Sequence, residues 1–470
     1  MVTYGGDEVN ALVLDVGSTS TRAGYAGEDT PKAVFPTSYG YLEEPDTDYV
    51  ATKSGVDGDV TMGEQTEEND VRVKKRYFIG DSMINTWRPN MEIKNPMHEG
   101  LGLWDRLIKA NSSIVNDWDA MEQIWNTAFR TMLRIDPTEH PLLCTEPAWN
   151  TPEKREKMVE LAFEKFEFPA FYLAKDAVMT AFSVGRATAL VLDSGGSMTS
   201  AVPVYDGYVL KKGILRQPIG GDLLTKQILD QLKNDLNVQV TPQYKIASKR
   251  PVESGQPPQV ELRDRPNTTE SYNDYQTSRV ILEYKESVCQ VSEMAYDEGI
   301  IASRPQKPFE FPDGYNNSFG MERYKLPEIL YQPRDFINVP PQAETNPQAE
   351  IPSVGLSKQQ IDSSLGMHQM VMNSIFSCDV DLRPLLFNNV VVTGGNTLFP
   401  GFNERLNYEL PIMAPSSKIK IHAAGNQTER KCSSWLGGSI LASLGTFHQL
   451  WISKKEYEEV GPSIVEAKCQ

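Results

Sequence analysis

The pentapeptide Ala-Leu-Val-Leu-Asp occurs twice in this chain, at Ala11–Asp15 and at Ala189–Asp193. Each copy runs straight into a turn of small residues, Val16-Gly17-Ser18-Thr19-Ser20 in the first and Ser194-Gly195-Gly196-Ser197-Met198 in the second. An apolar run closed by Asp and then Gly, Ser or Thr reads as a buried strand entering a tight hairpin, whose successive backbone amides form an anion-binding nest. One such strand exit is ordinary. Two on identical strands imply duplicated lobes that grip a polyphosphate from both sides. Asp15 and Asp193, at the two strand ends, would then face each other across it and hold the hydration shell of a Mg²⁺ or Ca²⁺.

The 470 residues exceed a single core and leave room for such a duplication. No apolar run approaches membrane-spanning length and no signal peptide opens the chain, so a soluble intracellular protein without membrane contact is expected. The five cysteines, Cys144, Cys289, Cys378, Cys432 and Cys469, are scattered and lack C-x-x-C spacing, which suits buried thiols rather than a disulfide framework or zinc site. A formal net charge of −17 argues against nucleic-acid binding by the bare surface, because phosphate neutralisation needs clustered Lys and Arg. It favours basic partners such as histone-like tails, and equally serves solubility.

Three segments read as insertions: the acidic Glu43–Arg72, a Pro- and Gly-bearing stretch from about Pro242 to Ser278, and another from about Gln332 to Gly355. All three are expected to be exposed and irregular. Between them, Asp119-Ala120-Met121-Glu122 resembles a capping box opening a helix whose apolar face comprises Trp118, Met121, Ile124, Trp125, Ala128 and Met132. Thr151-Pro152-Glu153 supplies an N-cap, an N1 proline and a first-turn acid. The run Asn389–Thr393 reads as a third strand, ending at Gly394-Gly395-Asn396-Thr397, with a helix expected through Phe402–Leu410.

These glycine turns, in this order, resemble those of actin and the wider family that includes sugar kinases and heat-shock chaperones. The likeness to actin runs over nearly the whole length. It is densest in Trp435–Leu444, Gly461–Val465 and Cys378–Arg383, while the opening Tyr4–Val9 and the insertions look like a nuclear class of actin-related proteins. The resemblance implies a two-lobed α/β actin-like ATPase fold with duplicated core sheets and a nucleotide cleft between the lobes. Residues 1–183 with 433–470 would form the first lobe and 184–432 the second.

It also implies an ATP site. Asp15, Gly17, Ser18, Thr19 and Ser20 match the first phosphate hairpin, with Arg22 standing where actin has a lysine; a planar guanidinium makes different contacts from a compact ammonium. Asp193, Ser194, Gly195, Gly196 and Ser197 match the second hairpin. Lys285 and Glu286 fall where actin contacts adenosine, and Gly394, Gly395, Asn396, Phe399 and Lys431 match the base and ribose wall. On an exposed helix Lys285 and Glu286 would otherwise be solvated charges.

The hydrolytic positions depart from actin. Asp176 replaces the water-orienting glutamine, and Gly196 and Ser200 replace an Asp and a His, which implies weak or absent hydrolysis. The rival reading is an active ATPase or small-molecule kinase using Asp176 as base. The first and third insertions would obstruct head-to-tail filament packing. Phe182, Ile440, Leu441 and Leu444 match the groove where apolar helices dock on actin, although the same spacing suits core packing. The resemblance thus implies a nuclear, non-filamentous scaffold that pairs with nuclear actin on a helical segment of a chromatin-remodelling ATPase or histone acetyltransferase subunit, without sequence-specific nucleic-acid contact.

Overall fold

The structure is a computed structural model that describes residues 10–45, 73–97, 114–341, 346–351 and 354–470. Both copies of the repeated pentapeptide form strands, Leu12–Val16 and Ala189–Ser194, and each organises a sheet. Leu12–Val16 pairs antiparallel with Ser20–Tyr25, which carries Ala33–Pro36; its other edge runs parallel to Leu142–Glu146, followed by Ala170–Lys175. Ala189–Ser194 pairs antiparallel with Thr199–Tyr205, which carries Leu215–Gln217; its other edge runs parallel to Val390–Thr393, followed by Ile421–Ala423. Strand order and direction are therefore the same in the two sheets.

The alternation of side chains explains the repeat. In a strand, successive residues face opposite sides of the sheet. Leu12 and Leu14 enter the core of the first lobe, and Leu190 and Leu192 that of the second. Val13, Ala189 and Val191 face the other way, into a core shared by both sheets. That shared core is filled by two helices, Asp176–Ser183 and Ser433–Ala442. Trp435, fully buried, donates its indole N–H to the Val13 carbonyl at 3.0 Å. The helices approach so closely that a β-carbon on Gly437 would collide with the Met179 carbonyl, so glycine is what permits the contact.

A second bridge joins the lobes beyond the helix pair. Phe78, Ile84, Met91 and Ile93 of the first lobe pack with Tyr244, Tyr272 and Tyr275 of the second. Trp87 Nε1 donates to Thr268 Oγ1 at 2.9 Å, and the Asn90 amide donates to the Asn267 carbonyl at 2.8 Å.

Several local expectations hold and others need correction. Thr151 is an N-cap with Pro152 in the first helical turn, and the helix expected through Phe402–Leu410 extends over Phe402–Met413. The helix expected from Asp119 starts earlier, at Trp118, because Asp117 caps it by accepting from the Ala120 amide at 3.0 Å. Met132 leaves the apolar face and is 39% exposed: the helix widens to π geometry over Thr127–Leu133, and wider turns rotate later residues off the stripe.

The stretch from Pro242 to Ser278 is ordered rather than irregular. It forms the hairpin Ile246–Arg250 with Gln259–Leu262 and the first part of the helix Glu270–Val288, whose tyrosines supply the second bridge. Within Gln332–Gly355, a helical turn at Pro333–Phe336 is followed by buried Ile337, Ile351 and Val354. Those apolar residues anchor a segment whose prolines suggested a loop. Of Glu43–Arg72, only Glu43, Glu44 and Pro45 lie within the described residues, as the end of the strand Tyr39–Pro45.

Candidate functional site

The two hairpins close by the same bond: Gly17 donates to the Ser20 carbonyl at 3.1 Å and Gly195 to the Met198 carbonyl at 3.0 Å. Their registers also match, with Asp15 opposite Arg22 and Asp193 opposite Ser200. Ser200, brought in from the sequence as a lost catalytic position, is thus the counterpart of Arg22 and lies buried. Among the described residues, no acceptor takes the backbone amides of Ser18, Thr19, Gly196 or Ser197. Such unpaired amides at two facing turns are the donor set an anion requires.

Arg22 is the cation of the cleft floor. It donates to Asp15 Oδ2 at 2.6 Å, while Asp15 Oδ1 accepts from Thr145 Oγ1 at 2.6 Å. Among the described residues Asp193 has no such hydrogen-bonded partner, and burial pushes its carboxyl up to about 6, with Arg22 opposing the rise and Asp15 adding to it. Asp176, at the N-terminus of the central helix, accepts from the Ala177 amide at 2.6 Å. Burial, then the charges of Asp193 and Asp15, push it up to about 8. The structure therefore brings Asp15, Asp176 and Asp193 close enough to act on one another, with Arg22 paired to Asp15 and opposing the rise of Asp193. Among the described residues no three of His, Cys, Asp or Glu converge closely enough to ligate a metal directly.

The second hairpin is supported from behind. Its Gly195 and Gly196 carbonyls accept from the amides of Gly221 and Asp222, at the start of the helix Gly221–Asn234, at 3.0 and 2.8 Å. Asn396 donates to the Gly195 carbonyl at 2.8 Å and to Ser194 Oγ at 3.1 Å, so it acts as a strut of this hairpin. Gly394 has φ of 95°, and a β-carbon there would collide with Asp193 and the Ser194 carbonyl. Gly395, by contrast, faces open space.

The residues expected to hold adenosine divide. Lys285 is buried, not solvated, and donates to the Gly221 carbonyl at 2.8 Å and Thr225 Oγ1 at 3.2 Å; burial lowers its pKa. Glu286 and Lys431 are exposed and paired at 3.1 Å. Phe399 packs into the second lobe's core.

The expected partner groove also divides. Leu441 and Phe182 pack against the shared core, with Phe182 beside the Gly207 turn, while Ile440 and Leu444 stand 40% and 47% exposed. Adjacent helical residues point about 100° apart, so Ile440 and Leu441 differ in exposure.

Sequence reasoning missed Thr145, Asn95 and Asp222. Asn95 Nδ2 donates to the Ser18 carbonyl at 2.8 Å, and Asp222 holds the second hairpin through its backbone amide. None stands in a motif; only the parallel pairing of Leu142–Glu146 with Leu12–Val16 brings Thr145 beside Asp15.

A family model described as actin matches residues 6–470. The chain is 40% identical to "Actin-related protein 4" of Arabidopsis thaliana over 469 residues, covering 99% of this chain and 100% of that protein. It is 41% identical to the protein of that name from Oryza sativa subsp. indica over 471 residues, with the same coverage, and 40% identical to that of Schizosaccharomyces pombe over 477 residues, covering 99% of each. Duplicated sheets, matched hairpins and full-length similarity agree that this chain belongs to the actin family.

Proposed function

We propose that this chain is a nuclear, non-filamentous scaffold that binds ATP with a divalent cation as a structural element. In this reading it pairs with actin on a helical segment of a chromatin-remodelling or histone acetyltransferase subunit. The observation that carries the ligand assignment is the pair of register-matched hairpins with free amides at Ser18, Thr19, Gly196 and Ser197. Full-length similarity to proteins named Actin-related protein 4 supports the assembly role.

ATP would be held by those amides and by Arg22, with Asp15 and Asp193 organising the hydrated Mg²⁺ or Ca²⁺. The ion supplies charge neutralisation, which a cleft with three carboxylates and one guanidinium needs before it accepts a polyanion. Open space at Gly395 fits the base wall. Hydrolysis is expected to be slow. Asp176 stands where the resemblance puts a water-orienting glutamine, and its short side chain is tied to the Ala177 amide. Gly196 and Ser200 stand where the resemblance puts an Asp and a His, so the ionisable side chains of that set are missing.

Calorimetric titration of the full-length protein with Mg·ATP tests the site. Wild type binds, and Asp15→Ala and Asp193→Ala each weaken binding; equal affinity in all three refutes the assignment. Fast single-turnover hydrolysis that disappears in Asp176→Asn would establish the enzyme reading instead. Recovery of actin and chromatin-complex subunits with the protein from nuclear extract tests the scaffold role.

A further inference from the structure

Asp15 and Asp193 end identical strands, yet their carboxylates are engaged very differently. Both oxygens of Asp15 are taken, Oδ2 by Arg22 Nη1 at 2.6 Å and Oδ1 by Thr145 Oγ1 at 2.6 Å, and the residue is 6% exposed. Asp193 is half-buried, faces Ser200 rather than a cation across its hairpin, and makes no hydrogen bond or ion pair among the described residues. Thr145 is itself held in place. It lies near the end of the strand Leu142–Glu146, and the next residue, Glu146, is buried beneath donors from Arg155 Nε at 2.9 Å, Lys175 Nζ at 2.5 Å and Asn150 Nδ2 at 2.9 Å. A strand end pinned by three donors gives the hydroxyl a fixed place from which to act. Arg22 Nη1 lies 3.5 Å from where a β-carbon on Gly17 would stand, so the guanidinium runs alongside the first hairpin.

A guanidinium presents five N–H donors in a rigid plane, so Asp15 can occupy one edge of Arg22 and leave the other donors for phosphate, which a compact ammonium cannot do in fixed register. The aim of the guanidinium then depends on Asp15, and that of Asp15 on Thr145. We propose that Thr145 and Asp15 are positioning residues that aim Arg22 at the phosphates, while Asp193 is the carboxylate on which the divalent cation depends. This rests on the reading of the cleft as a nucleotide site and divides the work of its two aspartates. The waters around a bound cation donate to carboxylate oxygens; Asp193 has both of its oxygens open to them, whereas Asp15 has committed its charge to Arg22. Loss of the Thr145 hydroxyl therefore weakens the phosphate contact and leaves the cation's share intact, and loss of the Asp193 charge does the reverse.

The test is calorimetric titration of the full-length protein, freed of nucleotide, with ATP in Mg²⁺ and again in EDTA; the ratio of the two affinities measures the cation's share. Thr145→Val is expected to weaken ATP binding about tenfold in both media, the worth of a hydrogen bond to a charged group, and to keep the wild-type ratio. Thr145→Ser, which retains the hydroxyl, is expected to restore the affinity, and Thr145→Val is expected to add no further loss once Arg22→Met has removed the guanidinium. Asp15→Asn carries the same expectation as Thr145→Val and serves in its place if that variant does not fold. Asp193→Asn is expected to bring the ratio towards one. Undiminished affinity in folded Thr145→Val or Asp15→Asn overturns the proposal, as does further loss in the Arg22→Met background, a ratio that falls in Asp15→Asn, or a wild-type ratio in Asp193→Asn. A wild-type protein that binds ATP in neither medium removes the nucleotide reading itself, and the proposal with it.

Discussion

Asn95 holds the Ser18 carbonyl at 2.8 Å from within the first lobe, yet the strand that delivers it is anchored on the second lobe through Ser271. The position of the first hairpin is thereby coupled to the insertion that begins near Pro242. Removing Ser271 Oγ should loosen the hairpin without touching it. In Ser271→Ala the Ser18 and Thr19 amides are expected to exchange faster by a factor of several, while the amides of Ala189–Ser194 keep their protection. Hydrogen exchange read by mass spectrometry checks this; uniform exchange across both hairpins would contradict it.

Asp176 and Asp193 make the empty protein sensitive to alkaline pH. Both carboxyls titrate higher in the fold, at about 8 and about 6, than the ordinary carboxyl value near 4. Their contribution is fully present below that ordinary value and is lost as pH rises through 6 and then 8, because the folded state must give up protons it holds more tightly than the unfolded chain. Stability of the nucleotide-free protein should fall between pH 5 and pH 9 on the order of 1 kcal/mol or more, and Asp176→Asn should flatten the upper part of the curve. Denaturant melts across that range decide it.

Leu441 and Leu444 should separate folding from assembly. Leu441→Asp puts a charge against the shared core and is expected to destabilise the fold by about 2 kcal/mol or more. Leu444→Asp, at an exposed position, should leave the melt unchanged within about 0.5 kcal/mol and lower affinity for a docking helix. A pull-down beside a thermal melt on each variant distinguishes the two effects.

The buried pair of Arg405 and Glu328 lies far from the cleft in the second lobe's core and offers a test of that core. Arg405 donates to both carboxylate oxygens, at 2.6 and 3.0 Å, and to Glu409 at 2.7 Å. Arg405→Leu strands the Glu328 charge and should cost about 3–5 kcal/mol, whereas the double change with Glu328→Leu should recover much of it. Chemical denaturation of the single and double variants provides the comparison.

How much of this was legible beforehand depended on whether a residue's role is local. The pentapeptide repeat announced both sheets because strand alternation and hairpin closure are written within ten consecutive residues, and Asp15, Gly17, Asp193 and Gly195 fell where those rules put them. The burial of Lys285 was not legible because it depends on Gly221, whose carbonyl takes its ammonium from 64 positions away. The insertion near Pro242 looked like a loop because its prolines and glycines mark turns. Its aromatic residues, Tyr244, Tyr272 and Tyr275, were the overlooked signal that it packs against something. The groove residues differ in exposure because Ile440 and Leu441 are adjacent on one helix and diverge, Leu441 leaning on the shared core and Ile440 facing outward.

The backbone contact of Gly437 on Met179 leaves no room for adjustment. The two helix main chains meet with no side chain between them, so any larger residue at position 437 must push the helices apart and open the shared core on which both sheets pack. The spacing of that core is set by backbone rather than by side chains that could change rotamer.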